Sequence, residues 1–184
     1  MLNHKGTVTL ETDRLILRRF TMEDAEAMYR NWASDDEVTK HLTWPTHSSV
    51  EISKMVLTDW TSHYPEPDFY NWAIVLKENG PEPIGNISVV GINKEVDAAT
   101  MGYCMSRAHW LKGIMAEALT AVIAFLFDEV GFNRIEADHD PNNPASGRVM
   151  EKSGMRHEGI LRQAGRSNQG IIDVSRWAIL KSDR

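Results

Sequence analysis

Hydrophobic positions along the chain change period several times, and each change delimits an element. Residues 14–20 (RLILRRF) alternate as a strand. Thr21 then supplies a cap, and Glu23 and Asp24 suit the positive end of a helix that reaches Asn31 or Trp32. A second helix is expected from Ser48, which has capping-box spacing to Glu51; Ile52, Met55, Val56 and Trp60 fall on one face, and the helix ends before Pro65. Residues 71–76, 84–90 and 99–105 then read as three strands of an antiparallel meander, separated by turn-rich Glu78-Asn79-Gly80-Pro81 and by 93–97. Apolar Leu119, Ile123, Leu126 or Phe127, and Val130 recur at helical spacing over 116–130, with Gly131 as the stop. A short strand at 134–138, a helix at 143–153 closed by Gly154, and a final pair of strands at 155–162 and 171–180 complete the chain. The order βααβββαβαββ predicts a mixed α/β sheet of about seven strands flanked by about four helices, parallel where helices cross over.

Length and composition narrow the class. A chain of 184 residues with 42% hydrophobic content suits one domain, here residues 1–184, that buries roughly 70% of its unfolded surface. The net charge of -6, with no basic stripe, disfavours general nucleic-acid binding. One cysteine, Cys104, removes any internal disulfide and any cysteine-based zinc site, and it suits a reducing, cytoplasmic setting. The first eleven residues lack an apolar export core, and no run approaches about 18 apolar residues, so no membrane partner is expected. The seven histidines form no i, i+4 pair on a helix, so no metal is expected.

Two strand-to-helix junctions carry the chemistry. In residues 106–119 (SRAHWLKGIMAEAL) a helix begins around Lys112-Gly113, and free N–H groups backed by the helix dipole suit a pyrophosphate; on this segment alone, Gly113 equally serves only to make the turn. Residues 138–155 (DHDPNNPASGRVMEKSGM) repeat the arrangement, with Ser146 early in the next helix. Two adjacent crossovers place Gly113 and Asn143 beside one crevice at the strands' C-terminal ends.

At this point the sequence resembles the GCN5-related N-acetyltransferases (GNAT), in particular their RimJ/RimL-like branch. The likeness runs from TDRLILRRF at 12–20 through IGNISV at 84–89, MGYCM at 101–105, HWLKGIMAEAL at 109–119, NPASGRVMEKSGM at 143–155 and HEGILR at 157–162, in the family's order and spacing. The resemblance implies the GNAT fold, an antiparallel N-terminal meander and a parallel pair at the cofactor cleft. It implies acetyl-CoA as co-substrate, its pyrophosphate cradled by the backbone of Leu111, Lys112, Gly113, Ile114, Met115 and Ala116. It places the pantetheine arm against Cys104, Met105 and Ser106 on one side and Asn143 and Ser146 on the other. The family's loop has Arg or Gln, then Gly, then Gly or Ala, where this chain has Trp110, Gly113 and Met115, and the branch often has Gly at the place of Leu111.

Acetyl transfer needs a neutral amine, a donor for the developing oxyanion and a proton for the leaving thiolate. An α-amine, with pKa about 7.7–8.0, is roughly a tenth neutral at pH 7, whereas a lysine amine near 10.4 is almost wholly charged. Many RimJ/RimL-like chains have Glu where this one has Thr100, so a base is sought elsewhere: Asp138, residues 35–37, or His139, each more ordinarily a surface polar group. By the same resemblance Ser146 is the candidate donor to sulfur, with helix capping as its alternative role, and the Met105 N–H the candidate oxyanion donor; with Asn143 these form the expected catalytic set. Cys104 reads as a small buried apolar residue rather than a nucleophile, and Trp44 and Tyr64 as core residues with a secondary claim on the acceptor amine. The expected activity is direct acetylation of an amine acceptor, either a protein N-terminal α-amine or a small amine. A catalytically silent acyl-CoA sensor and an unrelated nucleotide-phosphate module are the alternatives, and homo-oligomer formation stays open.

Overall fold

The computed structural model describes residues 2–184. Eight strands form one sheet in the order β1-β2-β3-β4-β5-β6-β8-β7: β1 (Leu10–Glu11), β2 (Leu15–Arg18), β3 (Asn71–Leu76), β4 (Pro83–Asn93), β5 (Ala98–Met105), β6 (Arg134–His139), β7 (Arg156–Ser167) and β8 (Gly170–Leu180). The eighth strand beyond the expected seven is β1, a two-residue piece too short to show a period; it pairs with β2 through Leu10 and Leu17. Strands β3 to β5 form the expected antiparallel meander, β2 joins it antiparallel to β3, and β5 and β6 run parallel. The crossover between them is α4 (Ile114–Phe125), continued by a π-helical turn at Leu126–Val130 and ended by Gly131 at φ 95°.

The sheet separates two apolar layers. On one face α4 and α5 (Pro144–Lys152) close a core built on Leu15, Leu17, Trp72, Ile74, Met101, Leu119, Val122, Ile135 and Ala137. On the other, α1 (Ala25–Met28), α2 (Asp36–Thr39) and α3 (Val50–His63) pack over Phe20, Ala73 and Cys104. Alternation along each strand delivers one residue to each layer, as Trp72 and Ala73 do.

The first helical segment differs from the regular helix expected from its spacing. It is 3-10 at Met22–Asp24, α at Ala25–Met28 and π at Tyr29–Ala33. Asp24, rather than facing solvent at the dipole, is buried; it accepts the Thr21 N–H at 2.9 Å and pairs with both terminal nitrogens of Arg18 at 2.8 Å. The cap of α3 is Ser49, one residue beyond Ser48, and its buried residues are Ser53 and Leu57, whereas Met55 is 71% exposed. Ser53 qualifies for the interior because His47 Nδ1 satisfies its hydroxyl at 2.8 Å, a pairing that apolar periodicity does not register. No helix among the described residues is long and apolar enough to cross a membrane.

Candidate active site

The site forms where the parallel pair comes apart. Pairing of β5 with β6 runs from Ala98 opposite Arg134 to Met101 opposite Ala137 and goes no further. Beyond it, β5 stays with β4 while β6 stays with β8 through Asp138 and His139, leaving a fork between Tyr103–Met105 and the end of β6. Backbone groups alternate in direction along a strand. The Ser106 N–H donates to Ile84 O at 2.8 Å and so faces β4, Cys104 shares that direction opposite Asn86, and the Met105 N–H therefore faces the fork. Of the three neighbouring residues expected to line the cleft, only Met105 turns its amide to it; those of Cys104 and Ser106 are committed to the meander.

The loop after β5 is braced rather than free. A 3-10 turn at Arg107–His109 leads into Trp110, whose indole N–H donates to Met105 O at 2.8 Å. Trp110, at the place of the family's Arg or Gln, thus ties the loop to the strand end. Leu111 at φ 62° and Gly113 at φ 74° both adopt left-handed backbone as the chain turns into α4. The first intrahelical bond runs from Glu117 N to Gly113 O at 3.1 Å, so the N–H groups of Ile114, Met115 and Ala116 have no upstream helical partner. Met115 sends its side chain into the core, where it is 5% exposed, so its bulk is turned away from the loop. Lys112 is exposed, and its carbonyl accepts from Arg14 at 3.0 Å. Arg14 also donates to Glu117 at 2.6 Å, joining β2 to the first turn of α4. This brace escaped sequence reading because its members lie 103 residues apart.

The opposite wall is the first turn of α5. Asn143 is its N-cap, Pro144 follows at N1, and the Asn143 side chain makes no capping bond; its carboxamide has no partner among the described residues. The Ser146 hydroxyl lies 2.9 Å from the Tyr103 hydroxyl, which also donates to Ser146 O at 3.1 Å. Burial pushes the Tyr103 phenol well above its ordinary pKa, so it stays protonated. Tyr103 was not singled out in the sequence; its pairing spans 43 residues.

Of the bases expected from sequence, all but the exposed Glu37, whose carboxylate has no partner among the described residues, are otherwise engaged. Asp138 takes a two-pronged bond from Arg176 at 2.9 and 2.7 Å. Asp35 caps α2 through Glu37 N at 3.0 Å and pairs with Arg107 at 3.1 Å, and Asp36 accepts from Thr46. His139 Nδ1 must donate to Asp140 O at 2.8 Å, which leaves Nε2 as the acceptor for the Trp177 indole at 3.2 Å, so neither nitrogen is available. Thr100 itself donates to Glu136 at 3.2 Å, and Arg134 holds that carboxylate at 2.9 Å. The Cys104 thiol is buried against Asn86 Oδ1 at 2.9 Å, and burial pushes its pKa up to about 12. Tyr64 accepts from Phe20 N and donates to Asn71 O, an interior link rather than an acceptor contact.

A mixed sheet forked at a parallel pair, with two helix N-termini facing the fork, defines the acetyltransferase fold class, and comparison with known proteins agrees. The profile of the Acetyltransferase (GNAT) domain matches residues 14–156, and the chain belongs to the GNAT family of N-acetyltransferases. It is 32% identical over 175 residues to the uncharacterized N-acetyltransferase p20 of Bacillus licheniformis, covering 95% of this chain and 97% of that one. It is 27% identical over 163 residues to the [ribosomal protein uS5]-alanine N-acetyltransferase of Escherichia coli, covering 84% and 81%. Among solved structures, a GNAT-family acetyltransferase from Bacillus anthracis superposes with a TM-score of 0.83 at 26% identity, over 95% of this chain and 99% of that one.

Proposed function

We propose that the chain transfers the acetyl group of acetyl-CoA directly to a primary amine, with the α-amine of a protein or peptide as first choice of acceptor and small amines as second. The observation that carries this reading is the fork itself: the Met105 N–H, the unpartnered Asn143 carboxamide and the Tyr103–Ser146 pair all border it, beside the unpaired N–H groups that open α4. Acetyl-CoA supplies an activated thioester. In this reading the N–H groups of 114–116 hold its pyrophosphate, helped by the helix dipole, and Asn143 hydrogen-bonds the pantetheine arm. The Met105 N–H stabilises the charge that develops on the thioester oxygen. Ser146 returns a proton to the departing sulfur, with the Tyr103 hydroxyl orienting it. An α-amine is favoured because Asp138, Asp35 and Asp36, acids expected beside the fork, are each engaged, and relatives include acetyltransferases named for ribosomal-protein alanine and serine.

Thiol release from acetyl-CoA, measured against α-amine peptides, lysine-only peptides, amino acids, polyamines and aminoglycosides, tests the acceptor class; turnover confined to lysine-only peptides would refute the α-amine assignment. Binding of acetyl-CoA with no turnover on any amine would favour the silent sensor. Ser146→Ala is expected to lower kcat about 10²-fold while leaving acetyl-CoA affinity within a few-fold. An unchanged kcat would remove Ser146 from the chemistry.

A further inference from the structure

Every second residue at the end of β6 and just beyond it, on the face turned away from α4 and α5, is acidic: Glu136, Asp138 and Asp140. Two of the three have an arginine, Arg134 for Glu136 and Arg176 for Asp138. The third has a histidine: His41 Nδ1 lies 2.9 Å from Asp140 Oδ2. Arginine keeps its proton throughout the working pH range, whereas an imidazole exchanges one. Because a carboxylate only accepts, Nδ1 is the donor, and in the neutral ring Nε2 carries the lone pair, with no partner among the described residues. Asp140 is fixed in turn, its Oδ1 accepting Asn142 N at 2.8 Å and Asn142 Nδ2 at 3.0 Å, and its carbonyl accepting Asn143 N at 2.7 Å. The dyad is thus built into the turn that presents Asn143 and Ser146.

The segment that carries His41 bridges the mouth of the fork. Asp35 at its start pairs with Arg107 beyond the end of β5, and His41 pairs with Asp140 beyond the end of β6. The His41 side chain is 23% exposed, so an acceptor can reach it. Lys40 precedes it on its own segment, Asp140 faces it from the turn after β6, and the backbone N–H of Asn168 in the β7–β8 turn donates to Leu42 O at 2.8 Å.

We propose that His41, oriented by Asp140, is the general base for the acceptor amine. This rests on the reading of the fork as the site of acetyl transfer. The acceptor ammonium gives one proton to His41 Nε2, and its nitrogen lone pair forms the N–C bond as the C–S bond breaks. The sulfur departs as thiolate and takes a proton from the Ser146 hydroxyl, the second nitrogen proton, lost as the amide forms, restores that hydroxyl through solvent, and the imidazolium, held by the Asp140 carboxylate, releases the first proton to solvent, so that one proton is released net. An imidazole matches an α-amine better than a lysine amine, whose pKa is higher by about 2.5.

The test compares pH profiles of kcat/KM for the wild type, His41→Asn and His41→Ala, with acetyl-CoA binding and Tm measured alongside. Asn keeps a side-chain N–H for Asp140 but has no base. His41→Asn is expected to hold Tm and acetyl-CoA affinity near wild type while kcat/KM falls about 10²-fold and the acid limb of the profile moves up to that of the free amine, about 7.7–8.0; added imidazole should partly restore His41→Ala. Full activity and an unchanged acid limb in His41→Asn, with only Tm lost in His41→Ala, would make the dyad a structural staple and overturn the proposal. A wild type that fails to bind acetyl-CoA would overturn the underlying reading, and this measurement separates that failure from failure of the base alone.

Discussion

Leu111 holds a left-handed backbone at φ 62° with its side chain 88% exposed, so it accepts steric cost without burial in return. That conformation costs an ordinary residue about 1–2 kcal/mol, against about 0.5–1 kcal/mol of extra unfolded-state freedom for glycine. Leu111→Gly is therefore expected to stabilise by up to about 1 kcal/mol, raising Tm by roughly 2–4 °C in a chain of this size; a lower Tm in a thermal melt would contradict the strain argument. His47 is buried and bonded to Ser53, and burial lowers its pKa from the ordinary 6.5. The folded state then binds fewer protons than the unfolded one below that value. Stability is complete above about pH 6.5 and is lost as pH falls towards the depressed folded value. Melts between pH 7.5 and 5 should show this loss reduced in His47→Asn, whose amide offers Ser53 a polar partner without a titrating ring.

The fork depends on how tightly β4 and β5 approach each other. A Cβ on Gly85 would stand 2.8 Å from Met105 Cα, so backbone must move to admit it. Gly85→Ala is expected to destabilise by about 1–3 kcal/mol, in the range of overpacked cores. It should also cut kcat more than the loss of folded protein explains, because the displaced residue carries the N–H that faces the fork. Circular-dichroism melts and initial rates on the folded fraction separate the two effects. The junction of β2 with α4 works in the same way: Arg14 and Thr12 hold Glu117, which sets the angle at which α4 offers its N-terminus.

The region of α2 and the loop after it is held from three distant parts of the molecule. Arg107 reaches Asp35, Asp140 reaches His41, and Asn168 in the β7–β8 turn donates through its side chain to Thr39 O at 2.8 Å and Trp44 O at 2.9 Å. Asn168→Ala leaves those two carbonyls without their partner, at a cost of about 1–3 kcal/mol. Because the loss is local, it is expected to open the segment rather than unfold the sheet: faster limited proteolysis within 39–47, a several-fold higher KM for the amine and unaltered acetyl-CoA affinity. Equal loss of affinity for both substrates would show that the clamp acts on the whole fork.

Local order was legible in the chain because its signals are local. The alternation of β2 to β5, the apolar repeat of α4, the left-handed stops at Gly131 and Gly154, and the Gly113 and Asn143-Pro144 helix starts each depend on residues within a few positions of one another. The order of those elements also implied a parallel pair flanked by two helix N-termini, and hence Gly113, Asn143 and Ser146 beside one cleft. The buried face of α3 was read only in part: Val56 and Trp60 pack on the core as expected, but a hydrogen-bonded Ser53 takes an interior place while Met55 points outward. The pairs that equip the cleft bring together residues 43 apart in Tyr103–Ser146 and 99 apart in His41–Asp140, and the clamp on Trp44 spans 124. Such contacts leave no mark on periodicity or spacing, since each partner alone is an ordinary polar residue. Chain order therefore determined the sheet and the position of its fork, while the engagement of Asp35, Asp36 and Asp138, and the orientation of His41, were decided only when distant segments packed together.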